Sequence, residues 1–246
     1  MIIFVNGYTL GCQPIRPYWS SSKNSNEFID AACNYFQDSF NDDKSFVNGS
    51  GKWFGSLASF RYAAGKKYAL GKLETYKALL TPNEKLNIIS HSMGAAFAEG
   101  MIDEFCQHQL PIGKIVHFAP AHARKIKISP ATNNLLRIQL NASEDTIIER
   151  FSDPFIRGKK LLIPGVNLYG KVHWNPWLYH PKHMAYVQQM NRKHQQHPHF
   201  DLKTYAFVFD WLSDLETLSH ANKQDQHSIN TKFEAVYMHG KYFELM

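Results

Sequence analysis

A single turn near the middle of the chain constrains its fold more than any other feature. The aliphatic run at 86–89 predicts a β-strand, and the small residues from Gly94 onward open a helix with one apolar face. Ser92 lies between the two, within Ser-His-Ser-Met-Gly at 90–94. A serine on so tight a turn projects from the sheet with a strained backbone, and the helix start offers free N–H groups to a developing negative charge. The turn therefore predicts a nucleophile, against the alternative of a capping serine at an ordinary strand-to-helix turn.

The rest of the chain alternates short β-rich runs with helical patterns, which is typical of an α/β fold with a mostly parallel sheet. A length of 246 residues is within reach of one such domain. After the first strand we predict a polar loop that contains Pro14 and Pro17. The predicted strands are 2–5, 45–47, 86–89, 114–118, 135–140 and 166–169. Four helices are predicted: one that begins at Ser25 or Asn26, one at 57–80, one after Ser92, and one whose apolar face includes Tyr205, Val208, Leu212 and Leu215.

The C-terminal part of the chain has a different character. Residues 219–231 are polar and predict a flexible linker. Residues 232–246 predict a β-hairpin that turns at His239-Gly240. We therefore divide the chain into an α/β domain at 1–218 and an extension at 219–246, which is expected to pack on the same domain.

Composition restricts the class of protein. Hydrophobic residues make up 44% of the chain and charged residues 20%, which is typical of a folded globular protein. No apolar stretch is long enough to span a bilayer, and the first residues lack a basic leader. The three cysteines are widely spaced and fit a reducing compartment. These features predict a cytoplasmic protein without an integral membrane segment, and they leave export by a signal-independent route open.

Basic residues exceed acidic ones, and the net charge is +6. They form small clusters, which include Arg124-Lys125-Lys127 and Arg157-Lys159-Lys160. Such clusters attract an anionic surface or substrate, although an ordinary solvated surface is the competing interpretation. No nucleic-acid-binding module accompanies them, so we predict no nucleic-acid partner. The histidines between 194 and 199 lack a carboxylate or thiolate at ligand spacing, so we predict neither a metal nor another cofactor.

The turn at 90–94 resembles the nucleophile elbow G-x-S-x-G of the α/β-hydrolase superfamily, with Ser90 in place of the first glycine. The resemblance spans about residues 2–186 and implies a sheet that begins near the family's oxyanion strand, without the leading strands of larger members. The segment 3–8 resembles that strand and its loop, with Asn6 where the family often has histidine. The resemblance therefore implies an oxyanion hole built from the backbone N–H groups of Tyr8 and Met93.

The order of elements in this family implies that an acid follows a later strand and that the histidine comes last. Asp145, just past a predicted strand, is the first choice for the acid, with Glu144 as the substitute. His183, at the start of a predicted helix, is favoured as the base, and His173 and His180 remain candidates. The implied catalytic triad is Ser92, His183 and Asp145.

The resemblance and the apolar content favour a carboxylic ester as substrate, as in lipases and esterases. A thioesterase, amidase or acyltransferase would use the same machinery, and a catalytically inactive binding protein could share the scaffold. The segment 154–179, which includes Lys159-Lys160, Trp174 and Trp177, is expected to lie beside the pocket. Its mixture of cations and aromatics fits a peripheral contact with anionic lipid, or else an ordinary loop that packs on the domain.

Overall fold

The computed structural model describes residues 1–7, 15–20, 27–50, 57–142, 162–172, 208–209, 212–213 and 243–245. Strands and helices alternate through this part of the chain. In chain order they are β1 (Ile2–Asn6), α1 (Ile15–Trp19), α2 (Glu27–Phe36), β2 (Phe46–Asn48), α3 (Ala58–Leu79), β3 (Leu86–His91), α4 (Gly94–Gln107), β4 (Ile112–Phe118), β5 (Arg137–Ala142), β6 (Leu168–Val172) and β7 (Phe243–Leu245).

The strands form one sheet in the order β2-β1-β3-β4-β5-β6-β7. All neighbouring pairs from β2 to β6 are parallel, and β7 alone pairs antiparallel, with β6. The predicted α/β fold with a mostly parallel sheet is therefore confirmed. The chain passes from β1 to β2 on one side and then to β3 on the other, so the strand order reverses beside β1. In open α/β sheets, ligands bind at the carboxyl ends of the strands on either side of such a reversal.

Helices cover both faces of the sheet, as the nearly continuous apolar strands require. Neighbouring strands align Ile3 with Ile88, and Ile88 with Ile115, so these three side chains share the face that packs against α3 and α4. The opposite face packs against α1 and α2. Buried residues at 208, 209 and 212 are helical and belong to this second core, which agrees with the helix predicted there.

Some predictions for local structure were wrong. The loop predicted after β1 contains the short helix α1, and Trp19 at its end is fully buried beside Phe4. Pro17 does not prevent this helix because the first residues of a helix need no intrahelical N–H donor. Strands β5 and β6 each begin two residues later than predicted, since apolar runs do not mark a strand's exact ends.

The C-terminal predictions lie mainly outside the described residues. Of the predicted hairpin, only β7 is described, and it extends the sheet next to β6. The predicted linker at 219–231 falls outside the described residues, so the domain division remains a prediction. No helix in the described part of the chain is both long and apolar enough to cross a membrane.

Helices α3 and α4 cross with almost no space between their backbones. A Cβ atom at Gly65 would lie 2.0 Å from the Phe97 carbonyl oxygen, and one at Gly100 would lie 2.0 Å from the Tyr62 carbonyl oxygen. Real Cβ atoms do not approach oxygen so closely, so both positions need glycine. Gly71, further along α3, has open space around it. The two glycines at the crossing therefore set how closely the pair packs.

We predict opposite effects for two alanine substitutions in α3. Gly65→Ala should lower the free energy of unfolding by about 3 kcal/mol or more, because the methyl group forces the two backbones apart. The matched control Gly71→Ala should raise it by up to about 1 kcal/mol, because alanine has the higher helix propensity and fits the space. Urea unfolding followed by circular dichroism measures both. Equal effects of the two substitutions would contradict the close crossing.

Candidate active site

Ser92 connects β3 to α4 in a backbone conformation that serine rarely adopts. Its φ is +54°, in the left-handed region that favours glycine. Three hydrogen bonds hold it there. Its N–H donates to the Phe118 carbonyl at 2.9 Å, and its own carbonyl accepts from the N–H groups of Ala95 at 3.3 Å and Ala121 at 3.1 Å. The surrounding structure therefore holds this serine on a strained strand-to-helix turn.

Left-handed residues other than glycine concentrate near this turn. Of six in the described chain, Gln37 follows α2 directly and Gln109 lies two residues after α4, where this conformation is common, and Asn83 is a residue type that tolerates it. The other three are Ser92, Ala119 and His122, which all follow the carboxyl ends of β3 and β4. Backbone strain that local sequence does not explain clusters at functional sites. Within the described residues, this edge of the sheet is therefore the best candidate for a functional site.

Two glycines allow the end of β1 to approach the turn. A Cβ atom at Gly94 would lie 2.4 Å from the Asn6 carbonyl oxygen, so α4 can start against β1 only without a side chain there. A Cβ atom at Gly7 would lie 2.7 Å from Cβ of Ser92. The chain that leaves β1 is thus in direct contact with the serine. Ser92 itself is 6% exposed.

Asn6 holds the end of β1 in place. Its Oδ1 accepts a hydrogen bond from the Gly49 N–H at 3.1 Å, and its Nδ2 donates to the Gly7 carbonyl at 2.9 Å. The side chain is fully buried. Asn6 therefore has a structural role at the position where the resembled family often has histidine.

Tyr18 joins the end of β1 to β3. Its hydroxyl accepts a hydrogen bond from the Gly7 N–H at 3.2 Å and is also hydrogen-bonded to Nδ1 of His91. Burial raises the pKa of the Tyr18 phenol well above its usual value, and the bond from Gly7 offsets only part of that, so the hydroxyl keeps its proton. His91 is buried beside the tyrosine ring.

A buried cation lies behind the start of α4. Arg61, on α3, donates to the Gly49 carbonyl at 3.1 Å and contacts Sδ of Met93 at 2.8 Å. Burial lowers the pKa of its guanidinium to about 10, so the group remains charged at neutral pH. Met93 is the residue directly after Ser92, and a positive charge next to it favours negative charge at the turn.

A buried polar network lies beneath the turn. The Ser90 hydroxyl lies 2.6 Å from Nδ1 of His117, and Nε2 of His117 lies 2.9 Å from Oε1 of Glu99. Arg137 donates to both Glu99 oxygens, at 2.9 and 3.0 Å, and to the carbonyl and hydroxyl of Thr132, each at 2.6 Å. An ionised carboxylate only accepts hydrogen bonds, so Nε2 of His117 carries a proton.

This network gives the serine at position 90 a structural role. Ser90 is on β3 and is fully buried, and its hydroxyl links the strand to β4 and, through Glu99, to α4 and β5. It has the connectivity of a serine-histidine-carboxylate relay, but its groups are sealed from solvent. Sequence reasoning missed it. The available signal was a glutamate on the apolar side of a helix and charged or imidazole groups within two aliphatic strands.

The remaining predicted site residues lie outside the described residues. This applies to Tyr8, to both acid candidates, to all three base candidates and to most of the segment 154–179. Ser92 and Met93 occupy the positions predicted for them relative to β3 and α4. Within the described residues, no group of three or more His, Cys, Asp or Glu side chains could hold a metal ion.

No family model matches the chain, and no curated protein matches it.

We predict that Glu99→Gln lowers the free energy of unfolding by about 3–5 kcal/mol at neutral pH, because Arg137 then keeps a buried charge without its counter-charge. Burial alone would raise the pKa of the Glu99 carboxyl, but the hydrogen bonds and charges of His117 and Arg137 outweigh it and lower this pKa below 4.5. The wild-type chain should therefore lose this stabilisation as the pH falls below about 4.5 and towards the lowered pKa of Glu99. The difference in the free energy of unfolding between wild type and variant, which we call the gap, should then narrow.

Chemical denaturation at several pH values measures that gap. Glu74→Gln serves as a control, because Glu74 is an exposed carboxylate in a salt bridge with Lys77. It should change the free energy of unfolding by less than about 1 kcal/mol at any pH. A constant gap between Glu99→Gln and wild type down to low pH would contradict an ionised Glu99.

Proposed function

We propose that the chain is a serine hydrolase that cleaves a carboxylic ester, with Ser92 as the nucleophile. The observation that carries the proposal is the left-handed backbone of Ser92 between β3 and α4, at the reversal of strand order. A nucleophile elbow requires this conformation, and the reversal is where ligands bind in open α/β sheets. An ordinary capping serine has an extended backbone and needs no such strain.

The parallel sheet supports the rest of the proposed triad. The carboxyl ends of β1, β3, β5 and β6 meet at one edge of the sheet. In sequence, Asp145 follows the end of β5 by three residues, and His173 follows β6 directly, with His180 and His183 a few residues later. Every proposed catalytic residue therefore belongs to a segment that leaves the sheet at the edge where Ser92 lies.

The proposed mechanism is acyl transfer to water. Ser92 attacks the ester carbonyl while His183 takes its proton, and Asp145 orients the imidazole. The backbone N–H groups of Tyr8 and Met93 stabilise the oxyanion. Tyr18 supports this assignment, because its hydroxyl already accepts the Gly7 N–H, so Tyr8 is the next donor along the chain. The histidine then protonates the leaving alcohol, and water releases the acyl group from the serine.

Exposed apolar side chains support an apolar part in the substrate. Among the described residues, the large hydrophobic side chains that are exposed are Leu57, Phe60 and Leu70, and Phe60 is 66% exposed. The first two flank Ala58, which packs in one cluster with Ala95 and Ala96 at the start of α4. An apolar surface therefore lies close to the turn, as an acyl chain would require. Contact with anionic lipid through 154–179 remains part of the proposal.

Experiments can distinguish the proposed esterase from two other interpretations of the same fold. A thioesterase, amidase or acyltransferase would use the same residues, and comparison of ester, thioester and amide substrates distinguishes these activities. A catalytically inactive binding protein would keep the fold, and its Ser92 would not react with a fluorophosphonate. The strain at Ser92 favours the enzyme, because a binding scaffold gains nothing from holding a serine in this conformation.

We predict that Ser92→Ala lowers the turnover of a 4-nitrophenyl ester by about 10⁴ to 10⁶ and abolishes fluorophosphonate labelling, because the nucleophile is removed. Steady-state kinetics and peptide mapping of the labelled protein measure these effects. Ser59→Ala is the matched control, because Ser59 is an exposed serine on α3. If Ser92→Ala hydrolysed the ester as fast as wild type, the proposed nucleophile would be wrong.

We predict that His183→Ala costs as much turnover as Ser92→Ala, and that His173→Ala and His180→Ala cost far less. A serine without its base contributes little to catalysis, so the double variant with Ser92→Ala should be no slower than either single variant. Rates for the three histidine variants on the same ester test the assignment. Inactivity of His173→Ala alone would move the base to His173 and leave the nucleophile unchanged.

A further inference from the structure

The turn after β4 presents basic side chains at the edge of the sheet where Ser92 lies. It includes His122, which is half-buried, and Arg124 and Lys125, which are exposed. The residues between and after them are buried, because Ala123 and Ile126 pack against Ala95 and Ala96 at the start of α4, in a cluster that also holds Ala58 of α3. The basic side chains are thus carried by a short turn that is fixed directly to the first turn of α4.

Hydrogen bonding places this turn next to the proposed nucleophile. The Ala121 N–H donates to the Ser92 carbonyl at 3.1 Å, and His122 follows with a left-handed φ of +58°. From Ala121 to Lys125 the chain makes one compact turn, closed by a bond from the Lys125 N–H to the His122 carbonyl at 2.8 Å. Lys125 is therefore four residues after Ala121, the residue that bonds to the Ser92 backbone.

The local charge is positive. Burial lowers the pKa of His122, and the positive charges of Lys125 and Arg61 lower it further. Arg61 also contacts Met93. Within the described chain, Lys125 forms no salt bridge with a carboxylate. Like charges held together at a partly buried edge raise the local concentration of anions.

We propose that the turn from His122 to Lys125 is a subsite for an anionic group of the substrate, a carboxylate or a phosphate, beside the reacting ester. The Lys125 ammonium supplies the positive charge that binds this group. The inference rests on the proposed hydrolase function and narrows its substrate class to negatively charged esters. The anionic group can belong to the acyl part or to the alcohol part of the ester.

The test compares matched esters that differ in one charge. Mono-4-nitrophenyl adipate carries a carboxylate on the acyl part, 3-carboxy-4-nitrophenyl hexanoate carries it on the alcohol part, and 4-nitrophenyl hexanoate is neutral. For each protein the kcat/KM of a charged ester is divided by that of the neutral one, after subtraction of spontaneous hydrolysis. Because the ratios are compared between variants, differences in intrinsic reactivity cancel.

Lys125→Glu should lower the ratio about tenfold for one of the two charged esters, which identifies the part of the substrate that carries the anion. Lys72→Glu, at an exposed lysine on α3, is the charge-matched control and should leave both ratios as in wild type. Added NaCl should reduce the preference of the wild type for the charged ester, because salt screens exposed charges. It should not reduce any preference for the charged ester in Lys125→Glu.

Each outcome has one meaning. If wild type hydrolyses the neutral ester through Ser92 but Lys125→Glu leaves both ratios unchanged, the subsite is wrong and the hydrolase proposal stands. An equal fall of both ratios in Lys125→Glu and Lys72→Glu would show attraction by net charge alone and would also overturn the subsite. Absence of Ser92-dependent hydrolysis of all three esters would overturn the hydrolase proposal together with the inference.

Discussion

Helix α4 begins directly against β1, and this approach determines the shape of the candidate site. With any side chain at Gly94, the Cβ atom would lie 2.4 Å from the Asn6 carbonyl, and the helix would have to move away from the sheet. Because α4 starts so close, Ser92 must reverse the chain within two residues and takes the left-handed conformation. Backbone bonds to Phe118 and from Ala121 then tie that conformation to β4. One close contact thus joins the ends of three strands around a single serine.

The face of the sheet behind α4 changes character along the strands. Near its amino edge, Ile3, Ile88 and Ile115 form an ordinary aliphatic layer. Two residues further along, the aligned side chains of Ser90 and His117 are polar, and they are sealed by Glu99. Burial of that carboxylate is costly, and it is offset only because hydrogen bonds and the opposite charge of Arg137 satisfy both oxygens. The turn therefore lies on a layer of polar side chains whose positions are fixed, since each hydrogen bond has a favourable geometry.

Local sequence was sufficient for the parts of the structure that depend on local physics. The alternation of apolar strands with helical patterns predicted the α/β sheet, and the small residues around Ser92 predicted a strained turn there. The partnership of Glu99 with Arg137 could not be predicted, because it joins residues 38 positions apart whose charges normally indicate solvent exposure. Helix α1 was missed for a related reason, since its stability comes from the tertiary burial of Trp19. Tyr8, Asp145 and His183 remain predictions, because they lie outside the described residues.

The crossing of α3 and α4 has a consequence for how the molecule can move. At Gly65 and Gly100 the two backbones touch, so neither helix can slide or rotate without collision, and no side chain lies between them to change rotamer. The pair therefore behaves as one rigid wall that carries Arg61 and the start of α4 with it. Any motion that admits a ligand must therefore leave α3 and α4 in place, and the turn at Ser92, which α4 carries, keeps its geometry while the motion occurs.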